Sequence, residues 1–274
     1  MGKKTMFDVI ALNKALIDIY SSVKNYKISY SLAYYSLKQQ YRRTFLGVFW
    51  ITINLSILIT VVGFVFSNIL VGDKNAYIIS ITIGLVFWRF ITGMLNDGSV
   101  GFIIASPLIK QIPLPLFGHA LKVLLRQLII LAHSILLIPI ILVITGSPVS
   151  LIGIFVYLPI GLILLSLNLL WMALFLGVIS TKFRDIVQFT SNMLQLGYYI
   201  TPIIWIPGMI KDRLPALVLN LNPFYHLIEL VRQPLIIGRI EIIHLILALS
   251  MLILGWILTL IIFSKYRAKI SLWL

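Results

Sequence analysis

Residues 26–50 read YKISYSLAYYSLKQQYRRTFLGVFW, and the fold follows from how that stretch is interpreted. At about 100° per residue, Tyr26, Tyr30, Tyr34, Leu37 and Tyr41 fall on one narrow stripe of a helix. Lys24, Lys27, Ser31, Lys38 and Arg42 gather on a neighbouring polar stripe, and Arg43 adds charge at the end. This pattern suits a helix lying in a membrane interface, with tyrosines at headgroup depth and cations towards anionic lipid. From Thr44 the chain turns apolar for about 25 residues, and roughly 20 are enough to cross a bilayer core. A surface helix of a soluble domain would not run into such a segment.

Composition agrees. The chain is 60% hydrophobic and 11% charged, with mean hydropathy +1.05, whereas a soluble domain carries about 25% charge. These values describe an integral membrane protein. Basic residues outnumber acidic ones 22 to 8. In a soluble protein that excess would point to nucleic acid. Here cations hold loops on the cytoplasmic side of a membrane, and no nucleic-acid partner is expected. The absence of cysteine excludes disulfides and thiolate metal sites. The first residues show no long apolar core or small-residue cleavage site, so no cleavable signal peptide is expected.

Read in order, the chain predicts an all-α membrane protein of six spans in a single transmembrane domain, 1–274. A short amphipathic helix covers residues 6–20, and the interface helix runs from about Lys24 to Arg43. The spans are expected at about 46–70, 76–95, 127–145, 151–180, 186–206 and 242–263. Arg89, towards the far end of the second, is expected to snorkel to the interface. Residues 96–116 break the pattern, opening with Asn96-Asp97-Gly98 and ending in a proline-punctuated run. The fourth segment carries no charge over 30 residues. At about 45 Å it exceeds the roughly 30 Å hydrocarbon core, so it must tilt, bend at Pro159 or keep its first turns outside.

The fifth segment differs. Gln188, Asn192, Gln195 and Tyr199 recur at helical spacing, with Ser191 and Tyr198 flanking them. Such a polar face in lipid is either glue between helices or the lining of a pathway. Residues 207–240 form another long break, read as short amphipathic helices held against the membrane. Asn222-Pro223 supplies an N-cap with proline at the first helical position. Glu229 and Arg232 are spaced to pair, and Pro234 ends or kinks that helix. With the N-terminus inside, 17 of the 22 Lys and Arg fall on the cytoplasmic side, so both termini are expected there.

Several chemistries find no support. There is no G-x-x-x-x-G-K-[ST] loop for nucleotide. The four histidines are scattered, and none sits in an H-E-x-x-H frame, so no metal site is expected. Asp97, Asp185 and Glu229 each lie near a break, which suits capping or ion pairing better than catalysis. No selectivity filter or charged ring and no clear internal repeat is visible.

The run Tyr41-Arg42-Arg43-Thr44-Phe45-Leu46-Gly47-Val48-Phe49-Trp50 resembles the entry to the first span in membrane subunits of polysaccharide-exporting ABC transporters. These permeases export O-antigen, capsule or teichoic acid chains. Phe183-Arg184-Asp185-Ile186, and Asn222-Pro223 with Arg232-Gln233-Pro234, resemble that family at matching places. The resemblance implies a homodimer in the cytoplasmic (inner) membrane with two copies of a separate ABC ATPase. ATP and Mg would be bound by that partner and no cofactor by this chain, and the cargo would be a lipid-linked polysaccharide. Lys38, Arg42 and Arg43 would face lipid phosphate or partner carboxylates. The 96–112 stretch, with Asp97 and Lys110, would be a coupling helix docking on the ATPase, and Arg184 and Asp185 would lie on the same side. Residues 207–240, with Asn222, Pro223, Glu229 and Arg232, would form an outer gate. Spans one and five would line the path, with Asn54, Gln188, Asn192, Gln195, Tyr198 and Tyr199 as candidate substrate contacts. Sugars stack on aromatic rings and hydrogen-bond to amides, so these side chains are chemically apt whatever the family. Two alternatives are a permease of the same type exporting a drug or small lipid, and a membrane enzyme acting on lipid-linked sugars.

Overall fold

An apolar segment in lipid must satisfy its backbone hydrogen bonds internally, and every regular element among the described residues is helical. The structure, a computed structural model, describes residues 2–69, 73–148, 150–206 and 216–274. The chain is an all-α membrane protein. Its helices are α1 (Gly2–Lys24), α2 (Tyr26–Gln40), α3 (Phe49–Ile69), α4 (Lys74–Ile104), α5 (Ser106–Gln111), α6 (Phe117–Ser134) and α7 (Leu137–Thr145). They continue with α8 (Leu158–Lys182), α9 (Asp185–Ile200), α10 (Ala216–Asn220), α11 (Pro223–Ile236) and α12 (Ile242–Trp273).

The interface pair forms as its pattern predicts, with one refinement. Tyr26, Tyr30 and Tyr34 are exposed. The buried ridge of α2 is instead Ser29, Ala33 and Leu37, so Leu37 leaves the tyrosine stripe. Small residues at i and i+4 let α2 lie close on α6, where the Ser29 hydroxyl donates to the Gly118 carbonyl at 2.9 Å. In α1 the inward stripe is Ala15, Asp18 and Ser22.

α4 is the central helix. The break expected at Asn96 is absent: α4 runs unbroken for 31 residues to Ile104, and the chain turns only at Ala105. Two contacts from distant sequence explain this. Asp97 is engaged by Arg126 and by Gln127 at 2.6 Å. A Cβ on Gly98 would sit 2.7 Å from the Ala173 Cα, so this glycine is where α4 and α8 touch. The separate short helix in this region is therefore α5, with Pro107 in its first turn.

Among the described residues five helical stretches are long and apolar enough to cross a bilayer, against the six expected: those beginning at Phe49, Lys74, Phe117, Gly153 and Ile242. The difference lies in α9. Its 16 residues rise about 24 Å, short of a roughly 30 Å core, and residues 201–206 continue in irregular conformation. Pro159 lies at the start of α8. The turn before it, Gly153–Tyr157, is π-helical, because proline offers no N–H and crowds the carbonyl four residues back. Pro139 likewise separates α6 from α7.

Pro234 does not end α11, which continues to Ile236. Nor is α11 an amphipathic helix resting on a surface: His226 to Leu235 are all buried. It packs on α4, α8 and α12. Gly161 of α8 passes so close to the Leu230 backbone that no side chain would fit there. The expected start of the outer break, residues 207–215, lies outside the described residues, as do the last residue of the first predicted span and Gly72 of the turn after it.

The two terminal helices meet on one face. The carboxylate of Asp18 accepts from the backbone N–H groups of Leu116 at 3.1 Å and Phe117 at 2.8 Å. It also pairs with Arg267 of α12 at 2.6 Å. One side chain of α1 thus caps α6 from outside and clasps α12.

Candidate functional site

α9 has two unlike faces. Thr190 and Leu194 are buried against the body of the protein. Gln188, Ser191, Asn192, Gln195 and Tyr199 are all exposed. Amides left open on a helix packed among apolar spans would be costly against hydrocarbon. The face therefore suits a wet pathway or a second polar surface. Gln188 donates to Asn192 at 3.0 Å, so each amide still has free valences. At the other end Tyr198 and Tyr199 meet edge to face at 5.5 Å. Tyr198 also leans on Trp88 of α4, leaving Tyr199 the more open ring, at 62% exposure. The result is an aromatic platform above a row of amides.

Asn54 is exposed but does not join that row. It lines a separate cavity between α3 and α4, together with Arg89.

Beyond α9, residues 201–206 are tied down by α4 and α11. Asn222 caps α11 through bonds from the N–H groups of Phe224 at 3.0 Å and Tyr225 at 3.3 Å. Its own amide donates to the Thr201 hydroxyl at 3.0 Å. Arg232 donates to Glu229 at 2.9 Å and to the Pro202 carbonyl at 2.6 Å. The Tyr77 hydroxyl donates to the Ile204 carbonyl at 2.7 Å. The pair predicted at Glu229 and Arg232 is thus present. It is buried inside the fold, not displayed on an outer surface, with side chains 9% and 4% exposed. Burial lifts the Glu229 carboxyl above the usual carboxylate range, and the Arg232 guanidinium opposes that rise. Pro223 is exposed at the first turn of α11.

The coupling candidates divide in the same way. Lys38, Arg42 and Arg43 at the end of α2 are exposed, as are Lys110 on α5 and Arg184 and Asp185 at the start of α9. Arg43 takes a left-handed backbone, φ 72°, where the chain turns from α2 into α3. Asp97, placed by its sequence at a break, instead sits within α4 in a clamp with Arg126 and Gln127. Arg126 reaches on to Gln40 at the end of α2, so the clamp also holds the interface helix.

Three features escaped the sequence reading. Asp18 was visible only as one member of an amphipathic helix, although an acid on the apolar stripe with Ala15 and Ser22 is a usable signal. The clamp partners Arg126 and Gln127 lie some 30 residues from Asp97. His226 and His244, 18 residues apart, bring their Nδ1 atoms within 2.8 Å. His226 Nε2 lies 2.9 Å from the Asn220 carbonyl, which can only accept. In the neutral pair His226 therefore carries its proton on Nε2, and His244 donates from Nδ1.

Comparison with known proteins agrees with this architecture. The ABC-2 type transporter family matches residues 29–236, from α2 to the end of α11. The chain is 24% identical over 202 residues to the O-antigen export system permease protein RfbA of Myxococcus xanthus, covering 72% of this chain and 75% of that protein. It is 22% identical over 194 residues to the protein of the same name from Klebsiella pneumoniae, covering 70% and 73%. A family match over more than half the chain, on helices that cross a membrane, has one conclusion: the protein belongs to the ABC-2 type transporter family and is a multi-pass membrane component of an ABC transporter.

Proposed function

We propose that this chain is the permease subunit of an ABC transporter that exports a lipid-linked polysaccharide, O-antigen-like, across the cytoplasmic membrane. The observation that carries the reading is the open face of α9, where amides and tyrosines suited to sugar hydroxyls and sugar rings stand on a helix among apolar spans. The two relatives named for O-antigen export support it. In this reading the chain is not itself an enzyme. Two copies assemble with two ABC ATPase subunits, which bind ATP and Mg. Both termini are cytoplasmic, which is consistent with the clasp between α1 and α12. Lys38, Arg42, Arg43 and Lys110 then lie on the side where an ATPase docks, with α5 as the coupling element. Residues 216–240 lie at the outer end, where Asn222 and the Glu229–Arg232 pair hold a gate in shape.

The test is reconstitution. The chain and its ATPase are placed in vesicles with a fluorescent polyprenyl-diphosphate oligosaccharide, and ATP-dependent appearance of the sugar on the far side is measured by lectin capture. Transport is expected with both subunits and ATP, and with neither subunit alone. ATP hydrolysis by the purified chain alone would overturn the reading. Transport of small amphiphiles without the sugar conjugate would favour the drug or lipid exporter instead.

A further inference from the structure

We propose that the cavity between α3 and α4 is a binding site for the phosphoryl headgroup of a membrane lipid, with Arg89 as the anion-binding group. The cavity measures ≈ 270 Å³ and is bounded by Tyr41, Trp50, Asn54, Leu55, Leu58 and Arg89.

Three observations converge on this site. The first is charge. Arg89 is exposed, and its guanidinium has no hydrogen bond or ion pair among the described residues. Asp97, about two helical turns further along α4, is already held by Arg126 and Gln127. Asp18 is held by Arg267, and Glu229 by Arg232. An arginine on a span with no internal counter-ion calls for an external anion.

The second is depth. Trp50 is the second residue of α3 and Tyr41 caps α2. Trp and Tyr at the start of a span mark the headgroup level of a membrane, so the cavity opens where lipid phosphates lie. The third is shape. Arg89, Asn54, Trp50 and Tyr41 make a polar floor. Ile51, Leu55 and Leu58 of α3 supply the apolar part of the lining, a wall for a hydrocarbon chain. A planar guanidinium grips two phosphate oxygens at once, Asn54 can donate a further bond, and the two rings can bear on a headgroup. A partner's carboxylate would have no use for the apolar wall, which is why a lipid is the favoured occupant.

The same phosphoryl chemistry is available from anionic phospholipid and from an isoprenoid diphosphate of the kind that carries sugars. The second source rests on the function proposed above, whereas the first does not. The experiment uses the full chain in detergent and measures quenching of Trp50 by brominated phosphatidylglycerol, with Trp50→Phe setting the background from the other tryptophans. Undecaprenyl diphosphate is then added as a competitor. Arg89→Gln is expected to weaken phosphatidylglycerol binding about tenfold, while the elution profile stays unchanged. Arg89→Lys is expected to recover part of the loss. Competition by undecaprenyl diphosphate that also depends on Arg89 would identify the isoprenoid carrier as a ligand. Competition that fails while phosphatidylglycerol still depends on Arg89 leaves the lipid site standing and counts against the carrier alone. Equal binding of phosphatidylglycerol by Arg89→Gln and the unaltered chain would overturn the proposal. So would an Arg89→Gln chain whose lipid binding is intact but which no longer dimerises or holds its ATPase.

Discussion

Replacing Asp18 by alanine should loosen the chain by about 3 kcal/mol, with most of the effect coming from α6 and little from α12. Asp18 is 2% exposed, and its carboxylate satisfies the N–H groups of Leu116 and Phe117, which no helical carbonyl can reach. Losing a helix cap costs about 1–2 kcal/mol, and leaving the second buried N–H unpaired adds about 1 kcal/mol or more. The ion pair with Arg267 adds less. The Arg267 side chain is 32% exposed and can turn to solvent, so about 0.5 kcal/mol is a fair allowance after screening. In a chain of this size each kcal/mol moves the unfolding midpoint by roughly 2–4 °C, so Asp18→Ala should lower it by about 6–12 °C. The assay heats the purified chain in detergent, removes aggregate and measures the monodisperse fraction by fluorescence-detected size exclusion. Arg267→Gln, which spares both capping bonds, should shift the midpoint by about 2 °C or less. Equal shifts from the two variants would refute the reasoning, since the cap would then contribute nothing beyond the ion pair.

Three further outcomes are expected. Gly98→Ala should cost about 1–3 kcal/mol by forcing α4 from α8 at Ala173, read by the same heating assay, whereas Gly146→Ala, with open space around it, should pay only for its left-handed backbone. Arg232→Met should destabilise by about 3–5 kcal/mol because it strands the buried Glu229 carboxylate, and Glu229→Gln in the same chain should recover a large part of that; no recovery in the double variant would count against the pair. Gln195→Leu with Tyr199→Leu should leave assembly with the ATPase intact and slow export severalfold in the vesicle assay, and unchanged export would remove α9 from the pathway.

What could be read from the sequence was whatever local periodicity decides. The tyrosine stripe of α2, the cap at Asn222 and the Glu229–Arg232 spacing depend on neighbours within a turn or two, and each is present. The errors arose where distant residues override local preference. Asn96-Asp97-Gly98 has the composition of a loop, yet α4 passes through it because Arg126 and Gln127 supply the partners and Ala173 needs the glycine. Pro234, expected to end or kink its helix, does not end it: α11, packed among α4, α8 and α12, runs on to Ile236. Leu37 fits the tyrosine stripe by angle, and the surface of α6 decides its true direction. The open face of α9 was legible as a polar stripe. Its exposure was not, since a stripe of amides reads the same whether it faces a cavity or another helix.

The length of α4 has a mechanical consequence. Its 31 residues make a rod of about 46 Å, so roughly 16 Å of it extends past a 30 Å hydrocarbon layer. Gly93 and Gly98 could have served as hinges, but Gln127 and Ala173 fill the space beside them. A push at the elbow by Ala105 therefore cannot be absorbed by bending. It must tilt the whole rod, and a tilt of about 5° about its midpoint swings each end by about 2 Å in opposite directions. The far end carries Tyr77 and its bond to Ile204, so a displacement at α5 arrives, reversed in sense, at the segment that joins α9 to α11.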